Sequence, residues 1–491
     1  MKKLLIFKVL LLWCAMMQAQ NEEDVLRFSQ LSHLGTVRTM GLCGAYGALG
    51  ADLASASINP AGIGMYRRSD ASMSLGINLR STDSEFGGKS TSISLSDTYV
   101  NAGAAITTSN VNPGTPFFTF AFYNQKNAMY NGSEHLENVE MPSSLLGVFH
   151  DIAQGTDNAL LNNQSVYEFT ASLAWHAFLL DPLDNSTTLY VTPFDTNDPI
   201  DYSYRLEESG QMSNNHISAG YTAEEFMSLG ATITLSEINY NRTITHTETP
   251  TDPGTDLHYW EYQDVLQTSG EGINLKVGAI AHINKFKMGL AWHSPTKYVL
   301  FDRYWNNLNS YWKDGDVYNL SSPEGNIEYI IKTPSRWILS SALVVGKCVA
   351  VSFDFETVDF AGGRLMDSED LIFSPNYNFN AENEAVQASY TRSNELRSGV
   401  EVRINSMFRA RCGLAYQTSP YSDEAGMTAN ASTLRFSLGG EYRKDNKYIG
   451  LAFTNSQTER DLYVNNPIYQ SARISQALST TLIVLGGGLR F

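Results

Sequence analysis

Residues 273–293 read INLKVGAIAHINKFKMGLAWH. Ile273, Leu275, Val277, Ala279, Ala281 and Ile283 share one face of an extended chain, and Phe286, Met288, Leu290 and Trp292 share one face after the two-residue turn Asn284-Lys285. A period of two on both sides of a tight turn is the pattern of a β-hairpin. The same alternation recurs with Met73, Leu75, Ile77 and Leu79, with Val349, Val351, Phe353 and Phe355, and with Leu434, Phe436, Leu438 and Tyr442. A soluble sandwich would alternate too, so the connections decide the class. Short turns fall around Ala223-Glu224, Asn284-Lys285, Gly346-Lys347, Asn405-Ser406 and Lys444-Asp445-Asn446. Long polar connections are expected between them, at 241–271, 299–329, 361–389, 419–432 and 458–478. Short turns at one end and long loops at the other mark an outer-membrane barrel.

Counting strands at 72–81, 98–107, 115–125, 210–222, 226–240, 272–284, 286–298, 330–346, 348–360, 390–405, 407–418, 433–443, 446–457 and 479–491 gives an even number, as a closed antiparallel barrel requires. The expected class is all-β, a 14-stranded antiparallel transmembrane β-barrel. The last strand, TTLIVLGGGLRF, keeps Ile483, Leu485, Leu489 and terminal Phe491 in phase. An aromatic carboxy terminus of this kind is a signal for the barrel assembly machinery.

The amino terminus, MKKLLIFKVLLLWCAMMQA (1–19), has two early lysines, an apolar stretch and a small residue at Ala19, and reads as a secretory signal. Beyond it no window offers the roughly 18 apolar residues of a membrane-spanning helix. The formal net charge of −17 makes nucleic acid a poor partner. Cys43, Cys348 and Cys412 have no CxxC or Cys/His spacing, so neither a disulfide framework nor a zinc site is expected. The aromatic content, 11%, suits a chain whose rings sit at two membrane interfaces.

Residues 20–70 differ from the rest. NEEDVLRFSQL is expected to form a short amphipathic helix with Val25, Leu26 and Phe28 facing a partner, and the following run is dominated by Gly, Ala and Ser. Small residues let backbones approach closely, but they cannot build a core of their own. Within SASINPAGIGMY (55–66), Pro60 fixes its own φ, Asn59 is pushed towards an extended conformation, and Gly62 and Gly64 permit close passage. The stretch is read as the corner where this segment ends and the wall begins.

The run GTVRTMGLCGAYGALGADLASASINPAGIGMYRRSD resembles the amino-terminal hatch of the FadL/TodX family of outer-membrane transporters, in its Bacteroidetes branch. MGLAWHSPTKYVLFDRY, TPSRWILSSALVVGKCVAVSFDFETVDF and LRSGVEVRINSMFRARCGLAYQTSPY carry the resemblance along the chain. The resemblance implies a small, partly helical hatch over 20–70 that plugs the lumen of a barrel over 71–491. It implies passive uptake of long-chain fatty acids or aromatic hydrocarbons through a pocket under the hatch, with lateral exit into the membrane. The surroundings would be outer-membrane lipid and lipopolysaccharide. Asn59, Pro60, Ala61 and Gly62 are the hatch motif that marks a gate, and Trp260, Trp305 and Trp312, each preceded by tyrosine, are candidate ligand-entry aromatics. Asn112-Pro113-Gly114 is a candidate wall gap. The alternatives are a haem-binding receptor and a structural or adhesive barrel with ligand-binding external loops.

No cofactor or metal is implied, because the nine histidines show neither HExxH nor paired metal spacing. His282 and His293 belong to the inner faces of neighbouring strands but at different heights. An enzyme is not expected: there is no GxSxG, and His293 and Ser294 are adjacent on a strand, so their side chains point to opposite faces.

Overall fold

The computed structural model describes residues 22–491 except 33, 87–88, 109–115, 224–225, 347, 368–371, 375, 423–430 and 465–471. The expected signal sequence (1–19) and the candidate wall gap Asn112-Pro113-Gly114 lie outside the described residues. The wall strands are β1 (Asp70–Phe86), β2 (Lys89–Thr107), β3 (Phe117–Met129), β4 (Ile200–Ala223), β5 (Met227–Pro250), β6 (Leu257–Ile283), β7 (Phe286–His293, then Lys297–Trp312), β8 (Gly325–Lys332, then Arg336–Val345), β9 (Val349–Asp359), β10 (Arg392–Arg403), β11 (Phe408–Gln417), β12 (Thr433–Lys444), β13 (Lys447–Val464) and β14 (Ala472–Arg490). Each pairs antiparallel with the next. β1 pairs with β14 from Asp70↔Arg490 to Glu85↔Ser475, which closes the barrel. Closure removes the unpaired strand edge that lipid cannot solvate. No described helix is long and apolar enough to cross a membrane.

The outward face carries an apolar band. On β1 Met73, Leu75, Ile77 and Leu79 are exposed, and on β6 Ile273, Leu275, Val277 and Ile283. The β6 stretch, at 3.4 Å per residue and a barrel tilt near 40°, covers about 25 Å, the height of an outer-membrane band.

Several expected external loops are strand instead. β4 and β5 have 24 residues and β6 has 27, well over the roughly 9–11 that cross a bilayer. The expected loop over 241–271 shrinks to the turn between Pro250 and Leu257, and most of 299–329 is β7, the strand Val317–Ser321 and the upper half of β8. The physical reason is visible on β5. Leu229, Ile233 and Leu235 point outward while Ser228, Thr232, Thr234 and Ser236 point inward; then Glu237 and Asn239 point outward while Ile238 and Tyr240 point inward. The period stays two and the faces exchange, because above the bilayer the outside is water.

A cap closes the external end. The segment between β3 and β4 forms the strand Gly132–Met141 and helices Leu146–Ala153, Asn158–Asn162 and Ala171–His176. Their apolar residues share a buried cluster with Leu257, Trp260 and Tyr262 of β6 and Leu308 of β7. Buried Glu248, on β5 far above the band, accepts hydrogen bonds from Ser144 Oγ, Leu145 N (2.7 Å) and Trp260 Nε1 (3.1 Å) and ties cap to wall.

Candidate functional site

The described residues between 22 and 66 lie inside the barrel. Their polar contacts reach wall strands around the circumference: Leu34 O accepts from Asn101 of β2 and Gln125 of β3, Gly64 O from Thr222 of β4, Ile58 O from His293 of β7, and Met40 O from Thr454 of β13. On the β9–β10 side Asp354 Oδ2 accepts both Tyr46 N and Gly47 N at 2.8 Å, and Arg38 Nε donates to Glu401 at 2.9 Å. Arg411 bridges Glu401 and Glu441 at 2.7 Å each, and Arg397 bridges Glu356 and Glu395 at 2.8 Å each. Buried ion pairs of this kind add little net stability, since desolvation offsets attraction, but they fix register because a misplaced charge is left unpaired.

The Asn59-Pro60-Ala61-Gly62 corner is buried and seated on wall backbone. Asn59 Nδ2 donates to Gly47 O at 2.8 Å, and Asn59 Oδ1 accepts Ala61 N at 3.2 Å, capping the 3₁₀ turn Pro60–Met65. Beneath it Gly220, Gly230 and Gly278 are direct cross-strand neighbours on β4, β5 and β6. A Cβ at Gly230 would fall 2.2 Å from the Pro60 carbonyl, and one at Gly278 2.0 Å from Asn59 Oδ1. This glycine row is what allows the corner to lie flat on the wall.

Above the corner the helix Glu22–Ser29 enters an apolar chamber. Val25, Leu26 and Phe28 are buried among Ile238, Tyr240, Leu266, Tyr298, Leu300, Ile327, Tyr329, Ile331, Val358 and Phe360. Apart from Phe360, which follows β9, these wall residues come from the strand segments where the apolar face has turned inward. Phe28 meets Tyr130 and Tyr240 edge-on, with centroids 6.3 Å apart in each case. Below the helix lies a cavity of about 20 Å³, lined by Ser29, Asn214, Asn274, Lys276, His293 and Arg336 among others. That is room for about one water. Ser29 Oγ, Asn214 Oδ1, Asn274 Oδ1 and His293 Nδ1 are buried there without a partner among the described residues.

The cavity reaches a defect in the wall. β7 is interrupted at Ser294-Pro295-Thr296 and β8, directly opposite, at Thr333-Pro334-Ser335. Neither proline has an N–H for the ladder. Across the break Thr333 N donates to Thr296 O at 3.0 Å, and Thr296 N donates to Thr333 Oγ1 at 2.9 Å. The break sits level with Ile273 and Leu275, at the outer edge of the apolar band.

Of the candidate entry aromatics, Trp260 is fully buried in the cap core and presents no surface. Trp312 is half-buried against that core, and Trp305 is half-buried on β7 well above the band. The three are not brought together. His282 Nε2 lies 3.0 Å from Ser228 Oγ and His293 Nε2 donates to Ile58 O, so the two histidines serve separate contacts. No group of three or more metal-ligating side chains occurs among the described residues. Sequence reading passed over the paired breaks, although SPT and TPS in two adjacent strands are their signal.

No family model matches the chain, and no curated protein does. Solved structures do. A FadL homologue of Pseudomonas aeruginosa is 11% identical over 93% of this chain and 98% of its own, with a TM-score of 0.54. The toluene transporter TodX of Pseudomonas putida is 13% identical over 94% and 99%, with a TM-score of 0.55. The monoaromatic hydrocarbon channel CymD is 11% identical over 93% and 97%, at 0.50. With its 14 strands, closed seam and apolar girdle, the chain has the fold of the FadL- and TodX-type outer-membrane β-barrel channels.

Proposed function

We propose that the protein is a passive outer-membrane channel for hydrophobic small molecules, long-chain fatty acids or aromatic hydrocarbons. The observation that carries this reading is an apolar chamber inside the barrel, filled by three side chains of the chain's own amino-terminal helix above a break in the wall. A hydrophobic solute gains about 0.8 kcal/mol for each CH₂ that leaves water. Val25, Leu26 and Phe28 gain about 1.5–3 kcal/mol each by the same burial. Without a solute the helix therefore stays seated; a solute takes its place, and the helix withdraws, pivoting on the residues that follow Ser29. The Asn59–Gly62 corner is the fixed seat of the hatch, because it is buried flat against the backbone of β5 and β6 and capped by Asn59, and the helix is the moving part.

Lateral exit would run through the break between β7 and β8, where the ladder is held by two hydrogen bonds and opens at membrane level. Uptake of toluene and of a labelled long-chain acid is measured in cells with and without the protein. Faster uptake of either, with no change for a polar solute of similar size, supports the reading. Equal uptake of all of them overturns it. A disulfide between Thr296→Cys and Thr333→Cys should block uptake reversibly if the break is the exit, and unchanged uptake under oxidation removes the lateral route.

A further inference from the structure

The break carries a second feature on its lipid side. The first residues above it on the two strands, Lys297 and Lys332, are direct cross-strand partners, and both are exposed. Their neighbours Tyr298 and Ile331 are buried in the lumen, so both lysines point outward. Arg364, on the short strand Arg364–Met366, is the next partner in the same row, opposite Lys332. Its guanidinium donates through Nη1 to the carbonyls of Ala361 and Gly363, and the side chain is partly exposed.

Three cations thus stand side by side across three strands, an arrangement that is repulsive unless an anion lies between them. Among the described residues neither lysine has an ion-pair partner. Among the described residues Glu271, paired with Val299, stands diagonal to Lys297, and one such acid leaves the row of three cations positive overall. On the other end of the row Ile273 is lipid-exposed, which sets the height at the outer rim of the apolar band. Just below the break Trp292 and Trp337, partners on the same two strands, face outward with centroids 6.3 Å apart. Leu290 and Leu339 continue that surface downward. Cations at headgroup level over indoles and leucines match one chemistry, a phosphorylated lipid of the outer leaflet.

We propose that Lys297, Lys332 and Arg364 bind the phosphate of an outer-leaflet glycolipid whose acyl chains lie on Trp292 and Trp337, across the outer mouth of the break. The site is independent of the transport reading, since a barrel that moved nothing would bind the same lipid. Apolar contact with the indoles and charge contact with the row are both needed, so a free phosphate ion is a poor occupant.

The full chain in detergent is titrated with a phosphorylated lipid A, with the same lipid dephosphorylated, and with inorganic phosphate, and bound lipid is counted by native mass spectrometry. The expected result is binding of the phosphorylated lipid alone, weakened about tenfold or more in Lys297→Gln/Lys332→Gln. Lys297→Arg/Lys332→Arg should retain it. Lys332→Glu, which makes an attractive pair with Lys297 and keeps the fold, should abolish it, and Lys447→Gln at the periplasmic turn should not matter. Equal binding of the dephosphorylated lipid, equal binding of inorganic phosphate, or full binding by the Lys332→Glu protein would each overturn the proposal.

Discussion

At Glu248 three hydrogen-bond donors converge on one carboxylate, yet burial outweighs them and pushes the group up to about 7. The protonated form is therefore favoured in the fold relative to an unfolded value near 4.3. This contribution is complete below the unfolded value and is lost as pH rises through 7. Neighbouring His246, pushed down to about 4 by desolvation, acts with the opposite sign, but only below its unfolded value near 6.5. Between pH 6.5 and 8 the cap should loosen by on the order of 1 kcal/mol, read as faster hydrogen exchange over 144–153. Glu248→Gln should flatten that dependence, and an unchanged slope would assign it elsewhere. At Asn59 the side chain satisfies one carbonyl and one N–H of the hatch. Asn59→Ala leaves both buried and unpaired, a cost of about 1–3 kcal/mol. The fixed-seat account expects weaker protection of the hatch from exchange; normal protection with lost uptake would instead make the corner a gate.

Among the elements, the glycine row of β4, β5 and β6 is the most sensitive to added volume. Gly230→Ala sets a methyl against the Pro60 backbone, which has no side chain to rotate away. It should reduce the heat-modifiable, fully assembled form on detergent gels, whereas Gly440→Ala, with open space around it, should not. The strands within the bilayer were legible because lipid outside and a polar lumen inside force apolar-out alternation, as on Ile273–Ile283. Above the bilayer the same strands invert, and a run such as TITHTETP on β5 resembles a loop when its two faces are not tracked separately. The amphipathic helix was also legible, with Val25, Leu26 and Phe28 as its buried face. What covers that face was not, because its partners come from wall strands far apart in sequence.

At the scale of the whole molecule the barrel is a closed container with its own occupant. The period-two runs supplied the strand number and the resemblance the idea of a hatch, while the break between β7 and β8 needed the register of two strands at once. The central claim is that the amino-terminal helix must leave the apolar chamber for a solute to pass. A Cβ at Gly363 would lie 2.3 Å from Val25 Cγ1, so cysteines at these two positions are close neighbours for a disulfide. In a Val25→Cys/Gly363→Cys protein, toluene and long-chain acid uptake are measured before and after reduction. The account predicts that the oxidised, stapled protein takes up neither and that reduction restores both to the level of the unmodified chain. Full uptake by the stapled protein would contradict it.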